Sequence, residues 1–162
     1  DLLAENGFGI ALFSKHPFQK SKKEIFPGNI PYLDTVIQKE NHSIRVIVVH
    51  PIPPMTKKMY EYRNESLDLL SKTIHDESTI VLGDFNLTPW SAFHKKFIKN
   101  SGLKNCRKIS NGIQMSWHGM GFSLPIDHIF VSKNITSEDF RIGPNINSDH
   151  YPITADLQVS GL

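Results

Sequence analysis

The sequence predicts an α/β domain, in which a sheet carries helices on one face. Most regular segments are short and either apolar or β-branched, as in strands, whereas two segments have the apolar spacing of helices. The 162 residues are 39% hydrophobic and 21% charged, which is the composition of a globular protein and not of a disordered or collagen-like chain. This length suffices for one domain or a large piece of one.

Charge, cysteine content and hydropathy exclude several classes of protein. The net charge of +2 is too small to indicate a nucleic-acid or membrane partner by itself. Cys106 is the single cysteine, so neither an intrachain disulfide nor a cysteine-rich zinc site can form. No run of about eighteen apolar residues occurs, and we therefore expect no membrane-spanning helix in this chain.

The first third of the chain predicts three strands and a loop. Residues 8–14 form an apolar run typical of a buried strand. Residues 20–28 are polar, are bounded by prolines and predict a loop. Residues 32–38 alternate in polarity, and residues 44–49 are β-branched and nearly continuous, with a polar turn at residues 41–43 between them. These last two runs predict a hairpin.

Two later segments predict helices. Three prolines at positions 51, 53 and 54 prevent a helix before about residue 55, and apolar residues then recur at near-helical spacing to about residue 75. Thr88 is the expected N-cap of a second helix with Pro89 at its first position, and Gly102 suits its end. Further strands are expected at residues 79–82, 126–131, 140–142 and 152–159.

Polar residues stand next to predicted strands where packing does not require them. Some follow a strand, some precede one, and one carboxylate lies inside an apolar strand, where it is costly unless paired. Each feature alone is explained at least as well by a turn, a solvated loop or a paired buried acid. Their joint occurrence predicts one polar site. The residues are His50, Asp84, Asn86, Asp127, Asp149 and His150.

These residue types fit phosphate-ester chemistry with a hard metal ion. In an extended chain Asp84 and Asn86 point the same way, and together they can hold a water and a phosphoryl oxygen. His150 can move a proton near neutral pH if an acid orients it. Carboxylates without a usable set of cysteines favour Mg²⁺ or Mn²⁺ over zinc, and Asp84, Asp127 and Asp149 suffice for one ion. Neither an HExxH zinc motif nor a GxxxxGK(S/T) phosphate loop is present.

Five segments resemble motifs of the endonuclease/exonuclease/phosphatase family, the metal-dependent phosphoesterases that include deoxyribonuclease I, abasic-site endonucleases, sphingomyelinases and inositol-polyphosphate phosphatases. In chain order they are Val48-Val49-His50-Pro51, Gly83-Asp84-Phe85-Asn86, Ser116-Trp117, Pro125-Ile126-Asp127-His128-Ile129 and Ser148-Asp149-His150-Tyr151-Pro152-Ile153. The GDFN and SDH segments are the specific ones, and the matches span about residues 7–157. Residues 87–91 are also similar to bacterial members that carry membrane helices ahead of this domain, which makes an upstream tether an expectation.

The resemblance implies part of a four-layer α/β/β/α sandwich of the deoxyribonuclease I type. It also implies hydrolysis of phosphate esters by in-line attack of an activated water. It assigns Asp84 to the attacking water and Asn86 to a phosphate oxygen. It assigns His50 to phosphate binding or to the leaving group, and His150, steadied by Asp127, to the scissile phosphate.

The implied metal site is incomplete in this sequence. The resemblance implies Asp149 and Asp84 as ligands of Mg²⁺ or Mn²⁺. The family's metal-site asparagine and its principal metal ligand, a glutamate, both precede the segment that residues 7–14 resemble, and only six residues come before Gly7. We therefore expect a single domain over residues 1–162, the C-terminal portion of a longer bacterial protein. It would lack the N-terminal strands and that glutamate, and would be weakly active or inactive alone.

The sequence leaves the substrate open. Nucleic acid, a phosphorylated lipid and an inositol phosphate are alternative partners, because fold-level analogy does not select among them. A catalytically incomplete module that binds or scaffolds is the alternative to an enzyme. The oligomeric state has no signal in the sequence.

Overall fold

The computed structural model describes residues 9–75, 78–107 and 114–160. The helices are α1 (Lys57–Lys72) and α2 (Ala92–Ser101). The strands are β1 (Phe18–Phe26), β2 (Ile30–Lys39), β3 (His42–Val49), β4 (Thr79–Asp84), β5 (Lys104–Asn105), β6 (Trp117–Gly119), β7 (Phe122–Leu124), β8 (Asp127–Val131), β9 (Ile135–Ile142) and β10 (Ile153–Val159). They form a six-stranded sheet in the order β1-β2-β3-β4-β8-β5 and two pairs, β10-β9 and β6-β7.

The strand order of the central sheet brings three strand ends together. β2 and β3 form an antiparallel hairpin, as the sequence predicts, and α1 then carries the chain back so that β4 runs parallel to β3. β8 runs antiparallel to β4. Val49 therefore lies beside Gly83, and Asp84 lies beside Asp127. The carboxyl ends of β3 and β4 and the start of β8 meet at one end of the sheet.

Each face of the central sheet is covered by its own apolar core. On one face, Phe130 shares a core with Leu70 of α1 and Phe97 of α2. On the other face, Ile129 shares a core with Ile135 of β9 and with partly buried residues of β10. The described residues thus form one helix layer and two sheet layers, which are three of the four layers expected. Nowhere in these described ranges is a helix long and apolar enough to cross a membrane.

The first helix begins at a threonine cap and buries the predicted stripe. The hydroxyl of Thr56 accepts a hydrogen bond from the amide of Met59 at 3.2 Å, which satisfies one of the unpaired N–H groups of the first turn. Leu67 and Leu70 are at most 2% exposed. Because isolated helices of this length are marginal in water, burial of this stripe holds α1 on the sheet.

The second helix starts three residues later than the sequence predicts. Its N-cap is Ser91, whose hydroxyl accepts a hydrogen bond from the amide of Phe93 at 3.3 Å. Thr88 instead closes a turn, since its carbonyl accepts a hydrogen bond from the Ser91 amide at 3.0 Å, and Pro89 lies within that turn. The helix ends at Gly102, as predicted, with a left-handed φ of 68°.

Two expectations for the first third of the chain are wrong. The loop predicted at residues 20–28 lies mostly within β1, because β2 supplies antiparallel partners along that strand. Its lysines suit an exposed edge strand, which polarity alone does not distinguish from a loop. Of the strand predicted at residues 8–14, Phe8 lies outside the described residues, and the remainder has one β-bridge position, at Ile10. The apolar run there reflects the burial of Ile10, and residues 11–14 are not part of a strand.

Three of the later predicted strands are found in the structure, one begins earlier than predicted, and three short strands were not predicted. The predicted strands at residues 79–82, 126–131 and 152–159 correspond to β4, β8 and β10. β9 begins at Ile135, ahead of the predicted start at residue 140. β5, β6 and β7 have only two or three residues each, too few for an alternation pattern to be visible.

We expect Gly83→Ala to destabilise the protein by at least about 3 kcal/mol. Gly83 has a φ of 139°, and a Cβ atom there would lie 2.0 Å from the carbonyl oxygen of Val49 on the neighbouring strand. The backbones of β3 and β4 would have to separate to admit it. Urea unfolding measures the change in the free energy of unfolding.

Gly102→Ala is the matched control for this substitution. Gly102 also has a left-handed φ, 68°, but a Cβ atom there would have nothing within 4 Å. Only conformational strain of about 1 kcal/mol is therefore expected. Equal losses in the two variants would show that the close approach of β3 and β4 does not constrain the fold.

Candidate active site

The polar residues that the sequence singles out lie at the shared end of β3, β4 and β8. His50 follows β3, Asp84 is the last residue of β4, and Asp127 is the first residue of β8, directly opposite Asp84. The chain returns to this place before β10, where His150 and Trp117 form an isolated β-bridge. Strand order therefore collects residues from separate segments of the sequence.

Asp84 lies between two imidazole rings. Its Oδ2 atom is 3.4 Å from Nε2 of His50 and 3.8 Å from Nε2 of His150. The Asp84 side chain is 12% exposed, whereas each histidine side chain is 33% exposed. The carboxylate is thus largely removed from water while both rings remain accessible. A carboxylate in this position can orient a water molecule and accept its proton.

Asp127 orients the ring of His150. Nδ1 of His150 donates a hydrogen bond to Oδ2 of Asp127 at 3.0 Å, which leaves Nε2 on the side of Asp84. This hydrogen bond is the main cause of the raised pKa of His150. Partial burial opposes the shift, and the negative charges of Asp127, Asp84 and Asp149 add to it. The protonated ring, with an N–H donor at Nε2, is therefore favoured.

The backbone of Asp127 is held by two buried side chains. Its amide donates a hydrogen bond to Oγ of Ser116 at 3.1 Å, and its carbonyl accepts one from Nη2 of Arg107 at 3.1 Å. Ser116 is fully buried and Arg107 is 5% exposed. Burial lowers the pKa of Arg107, an effect that the charge of Asp127 opposes. These contacts fix the carboxylate that steadies His150.

Asp149 contacts the site through Trp117. Its Oδ2 atom accepts a hydrogen bond from Nε1 of Trp117 at 3.1 Å, and its carbonyl accepts one from the amide of His118 at 2.8 Å. Asn147 has a left-handed φ of 61° and turns the chain just ahead of this residue. The carboxylate lies close enough to His150 for its charge to raise the pKa of that ring.

The segment after β4 is not extended as expected, although the side chains of Asp84 and Asn86 both line the same cleft. Asn86 has a left-handed φ of 48°, and its amide donates a hydrogen bond to Oδ1 of Asp84 at 2.7 Å, which closes a tight turn. Its side-chain Nδ2 donates a hydrogen bond to the carbonyl of Pro51 at 3.0 Å. Its own carbonyl accepts a hydrogen bond from Arg63. Asn86 therefore ties this turn to the segment that follows β3.

A buried pair of histidines supports the same turn from the core. Nε2 of His128 donates a hydrogen bond to the carbonyl of Leu87 at 2.7 Å. Nδ2 of Asn105 donates to Nδ1 of His128 at 3.0 Å and to Nε2 of His94 at 3.1 Å, so both rings accept and are neutral. Burial lowers the pKa of His94 to about 4 and that of His128 to about 3.

The site opens into a cleft of about 500 Å³. Its polar lining includes the carboxylate and imidazoles described above, together with Asn86 and Arg63, which is 4% exposed. The rest of the lining is mostly apolar and comes largely from the segment after His50 and from the β6–β7 hairpin. It includes Met55, Leu87, Trp117, Met120, Phe122 and Leu124.

Every residue that the sequence predicts for the site lies at this cleft or contacts a residue that does. Four of them form a row in which each side chain lies within 4 Å of the next, in the order His50, Asp84, His150 and Asp127. Sequence reasoning missed Arg63, because it lies on α1 among other polar residues without a distinguishing pattern. It also missed the indole N–H of Trp117, whose only signal is the Ser116-Trp117 segment.

The described residues do not by themselves form a site for a divalent cation. Among them, no group of three or more His, Cys, Asp or Glu side chains is placed to hold a metal. Oδ1 of Asp84 accepts an amide hydrogen bond, Oδ2 faces two imidazoles, and Oδ2 of Asp149 is bonded to Trp117. These two carboxylates are a partial set of the oxygen ligands that a hard cation requires.

The sequence also matches a known family over most of its length. A profile of the Endonuclease/Exonuclease/phosphatase family matches residues 3–150. The chain belongs to this family. A comparison with curated proteins finds no match.

Solved structures share the fold of this family member at low sequence identity. An endonuclease/exonuclease/phosphatase from Beutenbergia cavernae has a TM-score of 0.78 and 16% identity, covering 91% of this chain and 47% of its own. The human Nocturnin catalytic domain with bound sulfate has a TM-score of 0.69 and 18% identity, and the match covers 89% of this chain and 60% of that domain. A mutant beta toxin from Staphylococcus aureus with bound magnesium ions has a TM-score of 0.67 and 19% identity, and the match covers 91% of this chain and 66% of the toxin.

These structures confirm the predicted deoxyribonuclease I-like α/β fold. The chain spans about half to two thirds of the length of each of them, namely 47%, 60% and 66%.

We expect stability to fall as the pH decreases from about 6.5 to about 4, in part because His94 stays neutral in the folded protein. The unfolded chain takes up a proton at His94 near its ordinary pKa of about 6.5, whereas the folded ring does so only near about 4. Between these values the unfolded state binds more protons, so the free energy of unfolding declines as the pH falls. Urea unfolding across this range measures the slope.

His94→Gln removes this titration and keeps an acceptor for Asn105. Its free energy of unfolding should decline less steeply than that of the wild type, by at most about 1.4 kcal/mol per pH unit. At pH 8 neither form of His94 is protonated, so the difference there isolates the packing cost of the substitution. Parallel slopes between pH 4 and 6.5 would contradict a buried neutral His94.

Proposed function

We propose that this protein hydrolyses phosphate esters by in-line attack of water on phosphorus. The observation that carries the proposal is the carboxylate of Asp84 set between His50 and His150, with Asp127 holding the second ring. A proton acceptor and two proton donors are thereby within reach of a single phosphate in one cleft. Membership of the endonuclease/exonuclease/phosphatase family supports the same class of reaction.

In this proposal Asp84 orients the attacking water and accepts its proton. The water oxygen bonds to phosphorus while the bond from phosphorus to the leaving oxygen breaks. His50 donates a proton to the leaving oxygen, which departs as an alcohol. Because Nε2 of His50 is 3.4 Å from Oδ2 of Asp84, the proton taken from water can return to His50 and restore the starting state. The Asn86 amide holds Oδ1 and fixes the orientation of the carboxylate.

His150 and Asn86 are proposed to bind the phosphoryl oxygens. The raised pKa of His150 favours an N–H donor at Nε2, where negative charge increases in the transition state. Asn86 uses one side-chain hydrogen on Pro51 and retains the second for a phosphate oxygen. Charge stabilisation by donors held in place before the reaction is commonly the largest contribution to such catalysis.

We further propose that residues 1–162 form one domain, in which the described residues do not include the family's metal-ligand glutamate. Asp149 and Asp84 would then contribute to a Mg²⁺ or Mn²⁺ site whose other ligands lie outside the described residues. Two neighbours support this, since the beta toxin structure holds magnesium ions and the Nocturnin structure holds sulfate, a tetrahedral anion like phosphate. A bound cation would supply charge neutralisation at the phosphate.

We expect Asp84→Asn to lower kcat/KM for bis-p-nitrophenyl phosphate by about a hundredfold to ten-thousandfold in the complete protein. The amide retains the shape of the carboxylate but cannot accept the proton of water. His150→Gln should give a comparable loss, and Asp127→Asn a smaller one, because Asp127 acts through His150. Release of p-nitrophenolate measures each rate.

Asp156→Asn is the matched control, since this carboxylate is exposed on β10. It should retain the wild-type rate. Equal losses in the Asp84 and Asp156 variants would contradict a specific role for Asp84. Binding of phosphate esters without turnover at any pH would favour the alternative, a module that retains the fold for binding or scaffolding.

We expect EDTA to abolish hydrolysis by the complete protein and Mg²⁺ or Mn²⁺ to restore it. The 162-residue chain alone should hydrolyse bis-p-nitrophenyl phosphate weakly or not at all, because its described residues form only part of a cation site. Hydrolysis that persists in EDTA would contradict the proposed cation. Strong hydrolysis by the chain alone would contradict the proposal that its site is incomplete.

A further inference from the structure

The cleft beside Asp84 is lined by a few polar groups and by a larger number of apolar side chains. The polar groups are those proposed to bind one phosphate. The exposed apolar groups come from two separate segments, the one after β3, which contributes Met55, and the β6–β7 hairpin, which contributes Met120 and Phe122. The two segments meet at the same cleft although about sixty residues separate them along the chain.

Three of the apolar side chains that line this cleft are exposed to solvent. Met55 is 70% exposed, Met120 is 75% exposed and Phe122 is 50% exposed. Scattered single apolar residues are common on protein surfaces, but three that line the cleft holding the reactive groups form a patch of the kind that marks a ligand site. Phe122 is also held in place, since its ring lies 5.4 Å from that of Trp117 at an interplanar angle of 64°.

The charge of the cleft does not suit a polyanion. Among the described residues that line it, Arg63 is the only lysine or arginine. That guanidinium is 4% exposed and donates hydrogen bonds to the side chain of Asn64 and to the carbonyl of Asn86. Proteins that bind nucleic acid neutralise several phosphates with accessible lysine and arginine side chains. This cleft offers donors for one phosphate and an apolar surface next to them.

We propose that the substrate is an amphiphilic phosphate ester, whose phosphate lies at His50 and His150 and whose alkyl or acyl chain lies along Met55, Met120 and Phe122. The chain would displace water from these exposed side chains, which is favourable in proportion to the apolar area buried. The hydrolysis of such an ester depends on the function proposed above, whereas its binding does not. Methionine suits this surface because its flexible, polarisable side chain adapts to chains of different shape.

Calorimetric titration of the complete protein with methyl phosphate and with n-decyl phosphate tests the proposal, with the latter kept below its critical micelle concentration. Burial of one methylene gives up to about a fourfold gain in affinity, so burial of a few gives about tenfold to hundredfold tighter binding of n-decyl phosphate. The double variant M120S/F122S should reduce the ratio of the two affinities by about tenfold. Met55→Ser, on the other segment, should reduce it independently.

Ile25→Ser is the control, because Ile25 is an apolar residue of β1 with similar exposure, 49%, that does not line the cleft. It should keep the wild-type ratio of affinities. Thermal unfolding of each variant verifies that the fold is retained. Equal affinity for the two phosphates, or a ratio unaffected by both cleft variants, would overturn the proposal. Tighter binding of a short oligonucleotide than of n-decyl phosphate would also overturn it, in favour of a nucleic-acid substrate.

Hydrolysis of methyl p-nitrophenyl phosphate separates this proposal from the general function. Preference for n-decyl phosphate in binding, without hydrolysis of any ester, would support the amphiphile site and refute the hydrolase. A second outcome would be hydrolysis that Asp84→Asn abolishes, together with equal affinity for methyl phosphate and n-decyl phosphate. This outcome would support the hydrolase and refute the amphiphile site.

Discussion

The placement of one carboxylate, that of Asp84, is the constraint on which the site depends. Gly83 passes so close to the carbonyl of Val49 that no side chain fits between the strands, and this brings the end of β4 beside His50. A carboxylate this far removed from water is costly unless it is paired. The two imidazoles and the amide of Asn86 offset that cost, and they also set the direction in which the carboxylate can act.

Strand β8 supports the site from two sides because successive residues of a strand face opposite ways. Asp127 meets His150, while the next residue, His128, is buried in the helix-side core and bonds the carbonyl of Leu87. One short strand therefore fixes both the ring of His150 and the turn that follows Asp84. The polar network behind the site is neutral and buried, so it adds rigidity without adding charge.

The polar groups and most of the apolar lining of the cleft come from different parts of the fold. The carboxylates of Asp84 and Asp127 and the ring of His50 lie at the ends of sheet strands, which are held by two apolar cores. Most of the apolar lining comes from the segment after β3 and from the β6–β7 hairpin, which lie outside the central sheet. Such segments vary without cost to the core, which is how one fold serves substrates of different chemistry.

The sequence by itself determined the α/β class, the buried strands and the identity of the polar residues, because alternation, helical spacing and polar residues at strand ends are local signals. It did not determine β1, which is a strand only because β2 pairs with it, or the left-handed turn at Asn86, which depends on Asp84 and on Pro51. Nor did it reveal Arg63 or the apolar lining at the cleft. These depend on which segments meet, and strand order in the tertiary structure decides that over distances in sequence that no local pattern spans.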